Sequence, residues 1–230
     1  MPEIQKQPVG VVVLKKMLGI KINRVIKYLV LSDLVFWTGW GLITPVFAIF
    51  IMERIEGGSA FVVGIAAAIY WITKSFFRIP IGIFLDTCPG ERDDYWFLVA
   101  GLLLAALVPF GFIFAFLPLH IYLLQVVCGI AMAMSLSGWS AIFTRHIDRG
   151  RESTEWGIDA TLIGFGIGVS GAIGGWAVTQ FGFSPTFIAV GILGLIGTSL
   201  LLFLKNDIKG VFDHGLHFSF KDFFQKAEKR

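Results

Sequence analysis

Charge is what this sequence has least of. Asp, Glu, Lys and Arg make up 15% of its 230 residues, against about 25% in an ordinary soluble domain. A chain that is 56% hydrophobic, with a mean hydropathy of +0.78, is solvated by lipid. Cysteine is nearly absent: Cys88 and Cys128 stand far apart, which excludes a disulfide framework and predicts two reduced thiols. The histidines, His120, His146, His214 and His217, are dispersed. There is no His-Glu-x-x-His pair, no phosphate-cradling Gly-Lys-Ser/Thr loop and no nucleophile elbow. The expectation is therefore a protein that is not an enzyme, with no cofactor, no metal and no nucleic-acid partner. The basic N-terminus is not followed by a short apolar core and a small-residue cleavage site, so no cleavable signal is expected. Asp93 and Asp94, with Asp86 and Glu91, share a short loop with Arg92 and read as loop charge pairing.

What the chain has in abundance is apolar runs. Six are long enough to cross a bilayer, at about 26–52, 61–85, 95–116, 120–143, 156–181 and 186–204. The fold class is thus an all-α membrane protein of six transmembrane helices, 26–204. A basic amphipathic segment, 1–25, precedes it on the inner leaflet, and a tail, 205–230, follows as a short surface helix. Lys and Arg crowd the N-terminal segment, the loops at 86–94 and 145–155, and the tail, while the opposite loops contain only Arg54. The positive-inside rule then places both termini in the cytoplasm, of a bacterial or archaeal inner membrane. Gly39, Gly41 and Pro45 predict a bend in the outer half of the first span.

Ionisable residues inside spans are costly, roughly 2.5–3.5 kcal/mol for a mid-helix cation on insertion scales, and so have a partner or a task. Arg78 lies about 12 Å of helix rise from Asp86, within reach of snorkelling, whereas Lys74 lies about 18 Å away and faces a polar interior. Asp33 enters the first span to about the depth of Arg78, so a pair between adjacent helices is expected, with Lys74 sharing the carboxylate. That pair reads either as a proton- or substrate-linked switch or as a static packing contact. Trp37, Trp40, Trp71 and Trp139 fall inside spans, where they line an apolar cavity or pack, with Thr44 and Gln125 among the polar points. In the fifth span Gly164, Gly166, Gly168, Gly171, Gly174 and Gly175 leave one face almost bare, suited to close helix approach.

Three stretches carry a family resemblance. Gly82-Ile-Phe-Leu-Asp86, with Gly90-Glu91-Arg92 after it, resembles the loop signature Gly-x-x-x-Asp-Arg/Lys-x-Gly-Arg-Arg/Lys of the major facilitator superfamily. Thr87 stands where that family has a basic residue, and Gly90 comes one position late. Gln125-Val-Val-Cys-Gly129 is similar to the fourth-helix motif, with Gln125 in place of a frequent arginine. Gly166-Ile-Gly-Val-Ser170-Gly171-Ala-Ile-Gly174-Gly175 is similar to the antiporter signature Gly-x-x-x-Gly-Pro-x-x-Gly-Gly, with Ser170 and Gly171 replacing Gly and Pro. The resemblance implies the N-terminal six-helix half of a secondary transporter, built from two inverted three-helix repeats and working by alternating access. It makes 82–92 a conformational-switch loop and leaves Asp33, Lys74, Arg78, the tryptophans and Gln125 as substrate or coupling candidates. Protons are the candidate coupling ion.

The family has twelve helices where this chain has room for six. Three arrangements fit: a homodimer about an axis along the membrane normal, pairing with a separately encoded half, or a truncated half. The Met start and the Lys-Ala-Glu-Lys-Arg end accord with the first and do not exclude the third. A homodimer doubles Asp33, Lys74 and Arg78 around the cavity, favouring an anionic or amphipathic small molecule, while the tryptophan walls suit a lipophilic one. The competing class is a non-transporting six-helix scaffold or sensor.

Overall fold

In the computed structural model the described residues, 22–205, 207 and 208, are helices and short turns, with no strand among them. The predicted N-terminal segment and the tail fall almost wholly outside these residues. The first apolar run forms α1 (Arg24–Ile43) and the short α2 (Phe47–Arg54). There follow α3 (Ala60–Thr87), α4 (Arg92–Phe112), α5 (Pro118–His146), α6 (Glu152–Phe181) and α7 (Phe183–Leu200), the last continued by a 3-10 turn, Leu201–Leu204. All but α2 are long and apolar enough to cross a membrane, giving six spans.

Local chemistry sets the ends. Asn23 caps α1 by accepting from the Val25 amide, and Ser59 caps α3 by accepting from that of Val62. The expected bend falls between α1 and α2 at Thr44-Pro45-Val46, where proline has no N–H for the helical ladder. The expected loop at 145–155 shrinks to 147–151, because α5 runs on to His146 and α6 starts at Glu152. Gly182, at φ +84°, reverses the chain alone, where a turn of four residues was expected. Pro185 then sits in the first turn of α7, where its missing donor costs nothing.

Helices inside lipid gain no hydrophobic drive against one another, so close approach at small residues holds them. A methyl on Gly101 would meet the Ala131 carbonyl and the Ser135 amide at 2.5 Å, so α4 and α5 form a tight antiparallel hairpin. Gly197 of α7 lies against Ser32 and Phe36 of α1, and the buried Ser32 hydroxyl donates to the Gly197 carbonyl at 2.8 Å. Span one packs on spans five and six, span four on spans two and three, and span three on span six. Exchanging each span in the first three with its counterpart in the last three maps this pattern onto itself, as two three-helix repeats require. The fold class expected from the sequence is the one observed.

At one end of the bundle the Asn23 side-chain amide donates to the His146 carbonyl at 3.1 Å. There Arg24 pairs with Asp207 at 3.3 Å, His146 meets Glu91 at 3.1 Å, and Arg145 pairs with Asp94. Both ends of the described chain therefore meet on one side. At the other end Phe47, Phe50, Phe112, Phe183 and Phe187 interlock, with ring centroids 4.8–6.3 Å apart. Such pairs contribute about 0.5–1.5 kcal/mol each beyond area burial. Burial is uneven: 11% of the apolar window of α3 and of α6 is covered, against 44–56% in the other spans.

Candidate functional site

Three helices line a cavity of about 440 Å³ that is open on one side. Helix α1 supplies Trp37, Trp40, Ile43 and Thr44, spaced to share one face. Helix α3 supplies Val63, Ala67, Tyr70, Trp71 and Lys74, and α5 supplies Gln125, Cys128 and Met132, with Phe47 closing the end. The α3–α5 wall is tight because Gly129 faces Thr73 and the Tyr70 carbonyl, where a Cβ would come within 2.9–3.0 Å. Thus five of the sequence candidates, Trp37, Trp40, Trp71, Lys74 and Gln125, meet around one space.

The Lys74 ammonium lies 3.7 Å from the Trp71 ring centroid and 5.1 Å from that of Tyr70. A cation over an aromatic face gains about 0.5–1 kcal/mol when exposed and about 2 when desolvated. No ion pair or hydrogen bond to Lys74 forms among the described residues. The indole N–H of Trp40 is buried without an acceptor, and the Thr44 hydroxyl is turned back onto the Trp40 carbonyl at 2.8 Å.

The expected Asp33–Arg78 pair is not formed. Asp33 is buried on the side of α1 that packs on α6 and α7, and its electrostatic neighbour is Asp159 of α6. Arg78 lies on exposed α3 surface, where the Ser137 hydroxyl of α5 reaches its carbonyl at 3.5 Å. Matching depth did not imply adjacency: span one packs mainly on spans five and six, and span two on span four. Beside Asp33 the structure places Asp159, and one turn before it on α6 stands Glu155; the sequence reading passed over both. Asp159 and Glu155 are both buried, and each has one oxygen with no hydrogen-bond partner among the described residues. Asp159 carried the signal that singled out Asp33, an acid inside an apolar run, whereas Glu155 looked like a loop residue.

Arg78 instead lines a second cavity, of about 430 Å³, further along the same α3–α5 seam. Gly82, Asp86, Ser137, Ser140, Thr144 and Arg145 share it. Within the expected switch loop, Gly90 takes φ +100°, a conformation open to glycine, and a Cβ on Gly82 would meet nothing. The loop's acids do not pair with Arg92, whose Nε is buried without an acceptor among the described residues. Asp94 bonds Arg145 and Glu91 bonds His146, because the α4–α5 hairpin brings the end of α5 against the start of α4. Just outside the spans, burial and the nearby Asp93 push the Cys88 thiol above its usual range.

Trp139 is not a cavity residue. It stacks on Phe143 at 4.5 Å and meets Trp156 edge-on at 5.5 Å, joining α5 to α6. The glycines of α6 form two faces, not one. A side chain on Gly166 would meet Thr38, one on Gly174 would run into the Leu42 backbone, and Ser170 occupies the space beside Gly41. A Cβ on Gly171 would come 3.7 Å from the Gly41 carbonyl, on the same α1 side. Gly157, Gly164, Gly168 and Gly175 have open space around them.

Comparison with known proteins agrees with this architecture. The family profile described as Major Facilitator Superfamily matches residues 29–221. Among solved structures, the POT family transporter PepTSo, crystallised in meso, superposes with a TM-score of 0.62 at 16% identity. The match covers 82% of this chain and 39% of that one, so the chain spans well under half the length of that transporter. The search of curated proteins returns no match.

Proposed function

This chain belongs to the Major Facilitator Superfamily, and from that premise we propose that it is a half-size secondary transporter moving a small solute by alternating access. Two copies face each other about an axis along the membrane normal, each supplying one wall of a central cavity. The observation that carries this reading is the cavity between α1, α3 and α5, rimmed by a helix that this chain leaves uncovered. Trp71 lines the cavity and is 59% exposed, and α3 and α6 are the two least buried spans. A second half laid on them would close the space. The open glycines of α6, Gly164 and Gly168, are spaced by four, the register that admits a partner backbone.

Coupling to protons is assigned to Asp33 and Asp159, buried carboxylates in an apolar seam with no cation paired to either among the described residues. Acids of this kind carry protons in transporters. The loop at 82–92 is the switch segment in this reading. The end where the described chain ends meet faces the cytoplasm of a bacterial or archaeal cell, on the distribution of Lys and Arg.

The test is the mass of the protein in lipid nanodiscs by native mass spectrometry, followed by solute uptake in proteoliposomes. A dimer that takes up solute against a gradient supports the proposal. A strict monomer at high concentration removes the self-paired arrangement and directs the search to another six-helix half. A dimer without any uptake is the result expected of a scaffold.

A further inference from the structure

We propose, building on the transporter reading, that the solute is a small organic monoanion with an apolar body, such as an aromatic or branched carboxylate, and that Lys74 is its anchor. The argument starts from the cavity's composition. Of the described residues that line it, Lys74 alone carries a charge. Its ammonium rests on the faces of Trp71 and Tyr70, and among the described residues no acceptor takes its N–H donors. Rings that hold an ammonium by their faces are a cation site, but here the protein's own cation already fills it. A cationic ligand would meet like charge. A neutral lipophile would strip water from the ammonium and return no counter-charge. A carboxylate satisfies both the charge and the donors, and it gives the Gln125 amide a partner. The rest of the lining, Phe47, Ile43, Val63 and Met132 among it, accepts an apolar body.

A second observation points the same way. One helical turn beyond Lys74, about 6 Å of rise, Arg78 begins the next cavity of the seam. Ser137, Ser140 and Thr144 of α5 line it, with Arg145 at its end and Asp86 its one acid. An anion leaving Lys74 toward the end where the chain ends meet would pass to Arg78 along hydroxyl groups, while Arg145 is held by Asp94. A cation would find no such path.

Calorimetric titration of the full chain in nanodiscs with benzoate, hexanoate, benzamide and benzylamine tests this, since benzoate, benzamide and benzylamine share a ring and differ chiefly in charge. The expected result is that benzoate binds at least about tenfold more tightly than benzamide, as one desolvated charge pair allows, and that benzylamine does not bind. In Lys74→Gln the benzoate affinity should fall to that of benzamide while benzamide is unchanged, which shows the cavity intact. Lys74→Arg should keep the preference. Equal binding of benzamide or benzylamine, an unaltered preference in Lys74→Gln, or no binding of either anion at millimolar concentration would each overturn the proposal. Its failure is separable from that of the transporter reading. Lys74-dependent binding without uptake in proteoliposomes leaves the anion site standing and removes transport. Uptake of a neutral or cationic solute does the reverse.

Discussion

Arg145 at the end of α5 pairs with Asp94 in the first turn of α4 and closes the base of their hairpin. The carboxylate side chain is 2% exposed and the guanidinium side chain 37%, so the arginine is the partner that reaches water. Removing it strands a buried charge, whereas neutralising the acid does not. Arg145→Ala is therefore expected to cost about 3 kcal/mol of stability, and Asp94→Asn about 1 kcal/mol. Denaturant unfolding in detergent checks the order. An Arg145→Ala protein as stable as the parent would show the pair to be idle.

The two glycine faces of α6 predict opposite behaviour. Gly174→Ala forces a methyl into the Leu42 backbone and should destabilise the fold by about 1–3 kcal/mol, the usual range for overpacking. Gly168→Leu, with open space around it, should leave monomer stability intact and lower the dimer fraction in nanodiscs. Thermal unfolding and native mass spectrometry read the two effects separately. A Gly168→Leu protein that stays fully dimeric would move the interface off this face.

Asp33→Asn and Asp159→Asn keep the shape of the side chain and remove its capacity to gain and lose a proton. Both variants are expected to fold, and uptake into proteoliposomes should lose its response to an imposed proton gradient while downhill exchange continues. Loss of folding with no effect on transport per folded molecule would make the acids structural.

Cys88 gives a prediction in pH. Burial, reinforced by Asp93, raises its thiol, and a raised thiol has less thiolate at neutral pH than a free cysteine. Maleimide labelling at pH 7 should therefore be slower than for a model thiol. It should climb about tenfold per pH unit, since the thiolate is the nucleophile, and continue to climb above the pH where the model thiol levels off. A rate that levels off earlier than the model thiol would contradict the half-buried placement. Cys128 is 2% exposed on the cavity wall and should stay unlabelled under the same conditions.

Much of the site was legible because mid-span tryptophans, a deep lysine and a glutamine are anomalous against apolar background. Trp37, Trp40, Trp71, Lys74 and Gln125 stood out on type and depth, and the fold gathers them. Trp139, at a matching depth, takes the other alternative and packs, its face turned to Phe143 and Trp156. The same reasoning failed for Asp33 and Arg78, since depth along a span is additive in sequence but the angle around the helix axis is not. It read six glycines of α6 as one face, although residues two apart, such as Gly164 and Gly166, point to nearly opposite sides of a helix.

The six spans, the bend at Pro45 and the family motifs were determined by sequence alone, because hydropathy over some twenty residues and the geometry of proline are local quantities. Which spans touch was decided only by tertiary structure. Helices in lipid choose neighbours by the fit of small residues at contact distance, and that fit depends on both surfaces at once. It placed Asp159 beside Asp33, gave Arg145 rather than Arg92 to Asp94, and left Lys74 on its aromatic rings without a counter-charge among the described residues.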